Sequence, residues 1–212
     1  MATLSFVFGQ KLAIYAAYFW GIGTHFLLRG ICGVTYEIQG QENWQGEAAI
    51  FACKHQSALE TSMIQVLAFN SAIILKKELT YIPVFGQVIL KAGVIPIDRS
   101  KGKRTLPQLI KGAKKFLQAG RPLFIFPEGS RNPLEKPTQI RPGIGVIYQE
   151  TGFPVYPVAL NTGAVWGRRS FLKKPGKVIY RILPPIQPGL DKDAFLKQLT
   201  ETLEKNTRDI CS

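Results

Sequence analysis

The sequence predicts an α/β fold, a two-layer or sandwich arrangement in which helices flank a largely parallel central sheet of about seven strands. An N-terminal membrane-associated helical segment is expected to precede it. Three observations predict this. Residues 12–28 carry no charge. Beyond Gly30 the apolar residues come in short runs, bounded mostly by Gly, Pro, Asn or Lys as buried strands are. Between several of those runs lie amphipathic stretches of helical period, and strands alternating with helices favour a parallel sheet.

The uncharged segment LAIYAAYFWGIGTHFLL between Lys11 and Arg29 is 17 residues long, the lower limit for crossing a hydrocarbon core of roughly 30 Å. Its Trp and Tyr side chains favour the headgroup boundary, so it is expected to lie in, or dip into, one leaflet. A single spanning helix is the nearest alternative, and a buried core helix the plainest one. No small-residue cleavage site follows a basic start, which argues against a removable signal peptide. The chain therefore divides into a helical segment, 1–30, and an α/β domain, 31–212; its 212 residues suit one well-buried core.

The strands are expected at VTYEI (34–38), AAIFAC (48–53), AIIL (72–75), VIPI (94–97), LFIF (123–126), VYPVAL (155–160) and VIYRIL (178–183). The clearest helix covers 105–119, where Leu106, Leu109, Ile110, Ala113, Phe116 and Leu117 recur at helical spacing. Lys111, Lys114 and Lys115 take its other face, Pro107 its first turn, and Gly120 ends it. A last amphipathic helix starts at Asp191 and runs through Phe195, Leu199 and Leu203. Ligands of such folds bind beyond the carboxyl ends of the strands, so the residues just after the strands should carry the chemistry.

The net charge of +13 is unevenly placed: residues 1–70 hold three Lys/Arg against four acids, and 71–140 hold thirteen against four. A basic body behind an apolar front suits an anionic lipid surface or a phosphorylated substrate. Nucleic acid is disfavoured because no groove-reading motif accompanies the charge. Cys32, Cys53 and Cys211 are odd in number and lack C-x-x-C spacing, so neither a disulfide framework nor a zinc site is indicated. That usage fits a reducing compartment, and Cys53, inside an apolar run, reads as a small core residue.

Four strand-end segments stand out. In Lys-His-Gln-Ser-Ala-Leu-Glu, 54–60, a helix beginning at Ser57 makes Ser57-x-x-Glu60 a capping box, which turns the carboxylate back toward His55. A carboxylate there fixes the imidazole tautomer and leaves the other nitrogen to take a proton; the plainer reading is a cap and a loop histidine. The other histidine, His25, lies in the apolar front. In Gly93–Gly102 a strand opens into a turn bearing Arg99, Lys101 and Lys103, suited to phosphate or simply to solvent. In Phe-Pro-Glu-Gly-Ser-Arg-Asn, 126–132, Gly129 permits a tight turn with Glu128, Ser130 and Arg131 around it. Neither a Walker loop nor a G-x-S-x-G elbow is present. The fourth, Val155–Asn161, reads as core packing.

In this order the segments resemble the glycerophospholipid acyltransferase family, and within it the bacterial 1-acylglycerol-3-phosphate acyltransferases. His55-x4-Glu60 occupies the family's His-x4-Asp block, Pro96 to Arg99 its Pro-x-x-Arg pattern, and Phe126 to Arg131 its Phe-Pro-Glu-Gly-Thr/Ser-Arg block. The likeness covers roughly 48–165. Glu60 for Asp, and Lys54 where Asn often precedes the histidine, are the departures. The resemblance implies catalysis without metal or cofactor. His55, held by Glu60, deprotonates the sn-2 hydroxyl of a lysophosphatidate, which attacks the thioester of acyl-CoA or acyl-carrier protein. Arg99, joined by Lys101, and Arg131 would hold the acceptor phosphate, and Glu128, Gly129 and Ser130 would shape the glycerol site. Glycerol 3-phosphate or a lyso-aminolipid as acceptor, or water in a lipid or thioester hydrolase, are the alternatives. An anionic membrane surface is the implied partner, and the cytoplasmic face of a bacterial inner membrane the implied place.

Overall fold

The computed structural model describes residues 9–134 and 136–211; the side chains of Lys101 and Lys103, the first eight residues, Glu135 and Ser212 lie outside that set. The elements in chain order are α1 (Gln10–Cys32), β1 (Val34–Gln39), β2 (Ile50–Cys53), α2 (Leu59–Leu67), β3 (Ala72–Lys76), α3 (Phe85–Gly93) and β4 (Val94–Ile97). There follow α4 (Leu106–Gln118), β5 (Leu123–Ile125), α5 (Gly143–Thr151), β6 (Val155–Leu160), α6 (Thr162–Val165), β7 (Gly176–Ile182) and α7 (Lys192–Cys211). Each expected strand has its counterpart. The 48–53 run enters the sheet only at Ile50, and Asp191 caps α7 by accepting the Asp193 and Ala194 N–H groups.

The sheet runs β1-β7-β6-β2-β5-β3-β4, parallel throughout except where β6 meets β7. Period-2 alternation sends Ile50 and Ala52 of β2 to one face and Phe51 and Cys53 to the other. The first face is covered by α4, α5 and α7 through Leu109, Leu117, Ile147, Tyr148, Phe195 and Leu199. The second is covered by α2 through Leu59, Met63, Ile64 and Leu67. Phe51 stacks on Phe124 of β5 (4.8 Å between centroids) and on Tyr156 of β6 (5.5 Å), each its register partner across the ladder. Burial pushes the Cys53 thiol well up, as befits a core residue.

Helix α1 lies against α2 and α3. It comes close because Gly21 has no side chain: a methyl there would sit 2.3 Å from the Ser62 carbonyl oxygen. His25 is buried, its ring bonded to the Gly21 carbonyl and Tyr180 hydroxyl, and burial lowers its pKa. The other side of α1 leaves Leu12, Tyr15, Phe19, Phe26, Leu27 and Ile31 bare. It is thus neither a core helix nor, among the described residues, one long and apolar enough to cross a membrane.

Candidate active site

Strands β2 and β5 are neighbours, yet their chains leave in opposite directions, β2 to α2 on one face and β5 to α5 on the other. Adjacent parallel strands that part in this way open a crevice at their carboxyl ends. His55 and Phe126 stand there ring against ring, with centroids 4.2 Å apart.

The His55 Nδ1 lies 2.8 Å from Oε1 of Glu60. The carboxylate is fully buried, and its other partners are all donors: the Gln56 N–H (2.8 Å), the Ser57 N–H (2.8 Å) and the Thr162 hydroxyl (2.7 Å). An acceptor so engaged has no proton to offer, so Nδ1 carries the hydrogen and Nε2 presents its lone pair. The helix begins at Leu59 with Ala58 at its N-cap, one residue later than a capping box on Ser57 requires. Ser57 Oγ accepts the Leu59 N–H instead, and Glu60 still turns back as the motif dictates.

Glu128 holds the same histidine from behind. Its Oε2 accepts the His55 backbone N–H (2.9 Å) and its Oε1 accepts Lys54 Nζ (2.9 Å) and Asn132 Nδ2 (3.2 Å). The His55 carbonyl accepts the Asn132 N–H at 2.7 Å. Both backbone groups of His55 are therefore tied to the turn after β5. Lys54 also reaches Thr138 Oγ1 (2.8 Å), and its ammonium is buried with Glu128. Gly129 turns the loop at φ 70°, where an L side chain is strained, and Arg141 lies over it.

A cavity of about 660 Å³ opens beside His55. At the carboxyl ends of the strands it is lined by His55, Lys76, Arg99, Phe126 and Arg131. From there it follows β3 back to Ile73 and the Ala92–Val94 junction, between walls that include Trp20 of α1, Ile64 of α2 and Val88 of α3. Partial burial and the charge of Arg141 bring the Arg99 guanidinium down from its ordinary range, leaving a cation ready for an anion.

Of the residues singled out from sequence, His55, Glu60, Arg99 and Arg131 converge. Glu128, Gly129 and Ser130 are not among the residues lining the cavity. The Glu128 carboxylate is spent on Lys54, Asn132 and the His55 backbone, Gly129 serves the turn, and Ser130 is exposed. The Lys101 side chain lies outside the described residues. Sequence reasoning passed over Thr162, Asn132 and Arg141. Thr162 follows a buried strand just as His55 and Phe126 do, so the strand-end rule itself could have found it.

A family model described as Acyltransferase matches residues 35–161. The chain is 31% identical over 207 residues to the 1-acyl-sn-glycerol-3-phosphate acyltransferase of Pseudomonas aeruginosa, covering 95% of this chain and 80% of that one. It is 28% identical to the Helicobacter pylori protein of that name, over 74% of this chain and 68% of the relative. For the Saccharomyces cerevisiae protein of that name the figures are 28%, 79% and 57%. The crystal structure of the 1-acyl-sn-glycerophosphate (LPA) acyltransferase from Thermotoga maritima superposes with a TM-score of 0.77 at 24% identity, covering 97% of this chain and 85% of that one, which speaks for the fold.

Proposed function

The chain belongs to the acyltransferase family, and from that premise we propose that it carries a fatty acyl group from a thioester, acyl-CoA or acyl-carrier protein, to the sn-2 hydroxyl of 1-acylglycerol 3-phosphate. The observation that carries the reading is a single cavity that joins His55 to arginines at one end and to apolar walls along its length. An acceptor with a phosphate and an alkyl chain has both needs.

His55 Nε2 takes the proton of the hydroxyl, whose oxygen attacks the thioester carbonyl. Charge appears on the imidazole as it does so, and the Glu60 carboxylate, 2.8 Å away, stabilises it. The tetrahedral intermediate collapses, the C–S bond breaks, and the thiolate leaving group recovers the proton from His55. The products are an ester and a thiol. Arg99 and Arg131 hold the phosphate as forked donors, and Lys76 adds a point charge. Glu128 and Asn132 fix the backbone from which the imidazole projects. Positioning two substrates is itself a large source of rate. The bare side of α1 supports work at a membrane surface, which we place on the cytoplasmic face.

The test is release of free thiol from an acyl thioester by the purified protein with detergent-dispersed lysophosphatidate. Release should require the acceptor and disappear in His55→Ala. Release at the same rate without acceptor would make the protein a hydrolase, and equal rates in wild type and variant would remove His55 from the chemistry. Glycerol 3-phosphate and a lyso-aminolipid, offered in parallel, should turn over more slowly.

A further inference from the structure

The segment between α6 and β7, Trp166-Gly-Arg-Arg-Ser-Phe-Leu-Lys-Lys-Pro175, takes no part in the site. It has a defined shape. The Trp166 indole N–H donates to the Ser170 carbonyl (2.8 Å), the Ser170 N–H to the Gly167 carbonyl (3.2 Å), and the Lys174 N–H to the Val165 carbonyl (2.8 Å). Lys173 Nζ lies over the rings of Trp166 (4.3 Å) and Phe171 (4.7 Å). A loop tied in this way leaves two apolar side chains open to solvent: Phe171 is 89% exposed and Leu172 76%. Arg168, Arg169, Lys173 and Lys174 surround them, with no acid between Trp166 and Pro175.

Its base meets the end of α1. The Gly176 N–H donates to the Gly33 carbonyl (3.3 Å), and Pro175 stands beside Gly33. The neighbouring last turns of α1 expose Phe26 (76%) and Ile31 (78%), together with Arg29. The loop therefore springs from beside the end of α1 whose last turns are apolar and exposed, and it carries four cations.

We propose that the 168–174 loop is a second membrane anchor, which inserts Phe171 and Leu172 into an anionic phospholipid bilayer while its four basic side chains meet the headgroups. This rests on the reading of the protein as an enzyme of lipid substrates. Apolar tips with a basic rim match an interface that is greasy inside and negative at its surface. An acidic carrier protein would answer the charge alone, and it gives no reason for the most exposed apolar side chain of the loop to lie at its tip. Two anchors, a helix and a loop, would also fix the tilt of the body on the membrane.

The experiment is co-sedimentation of the full chain with neutral phosphatidylcholine vesicles and with vesicles containing phosphatidylglycerol, at low and high salt. Wild type should prefer the anionic vesicles and lose that preference in high salt. Phe171→Ser/Leu172→Ser should weaken anionic binding by about tenfold or more. Arg168→Glu/Lys174→Glu should also weaken it, by about fivefold or more per charge. Both variants should keep wild-type thiol release on detergent-dispersed substrates, which shows them folded and separates this test from that of the activity. Unchanged vesicle binding by the serine variant would overturn the proposal. So would normal vesicle binding by a variant that fails only with an acyl-carrier-protein donor, which would make the loop a docking site for that protein.

Discussion

The segments after β2 and β5 each bury one glutamate against His55, Glu60 from the first turn of α2 and Glu128 from a turn, and the two carboxylates do different work. Glu60 grips the imidazole ring, and its remaining partners are two backbone N–H groups and a hydroxyl, none of them charged. Glu128 grips the backbone of the same residue, and its charge is already matched by the Lys54 ammonium at 2.9 Å. A cation forming on the ring therefore finds an unmatched negative charge in Glu60 and a neutralised pair in Glu128. Proximity is common to both; only the balance of charge around each assigns the role.

Breaking the first of these contacts should have the largest effect. Glu60→Gln puts an amide where the ring needs an acceptor, can turn the imidazole to the wrong tautomer, and should lower kcat by about 10³–10⁴-fold. Breaking the second should act on stability first. Glu128→Gln leaves the Lys54 ammonium buried without its partner, which should cost about 3–5 kcal/mol in urea unfolding. Lys54→Met/Glu128→Leu removes both charges, and most of that loss should return; a double variant as unstable as the single one would refute the pairing. Thr162→Val removes one hydrogen bond to the Glu60 carboxylate, worth about 1.5–3 kcal/mol, and should reduce kcat with little change in KM. Gly129→Ala strains the turn at φ 70° by about 1–2 kcal/mol and should be visible in the midpoint of unfolding.

What the sequence made legible follows the range of each interaction. The seven strands were readable because short apolar runs and their bounding residues are local, as was α4 from its apolar spacing and Gly120. The turn of Glu60 toward His55 was readable too, because a capping motif acts within five residues. The reversal of β1 and β7 relative to the rest left no local trace. The pairing of Lys54 with Glu128, the bond from Thr162 to Glu60 and the approach of Arg141 to Gly129 join residues far apart in the chain. The resemblance assigns Glu128 to the glycerol site, and only the assembled sheet shows how its oxygens are occupied. The bare side of α1 was legible as apolar composition, but which residues it turns to α2 depends on the close approach at Gly21.

The most direct test of this division of labour is the rate of acceptor-dependent thiol release by Glu60→Gln beside that of Lys54→Met/Glu128→Leu, each first shown to unfold cooperatively. The account predicts a loss of about 10³-fold or more for the first and a loss at least about tenfold smaller for the second, in which Glu60 still holds the ring although the His55 N–H loses its acceptor. Equal losses in the two, or a Glu60→Gln rate close to wild type, would contradict it.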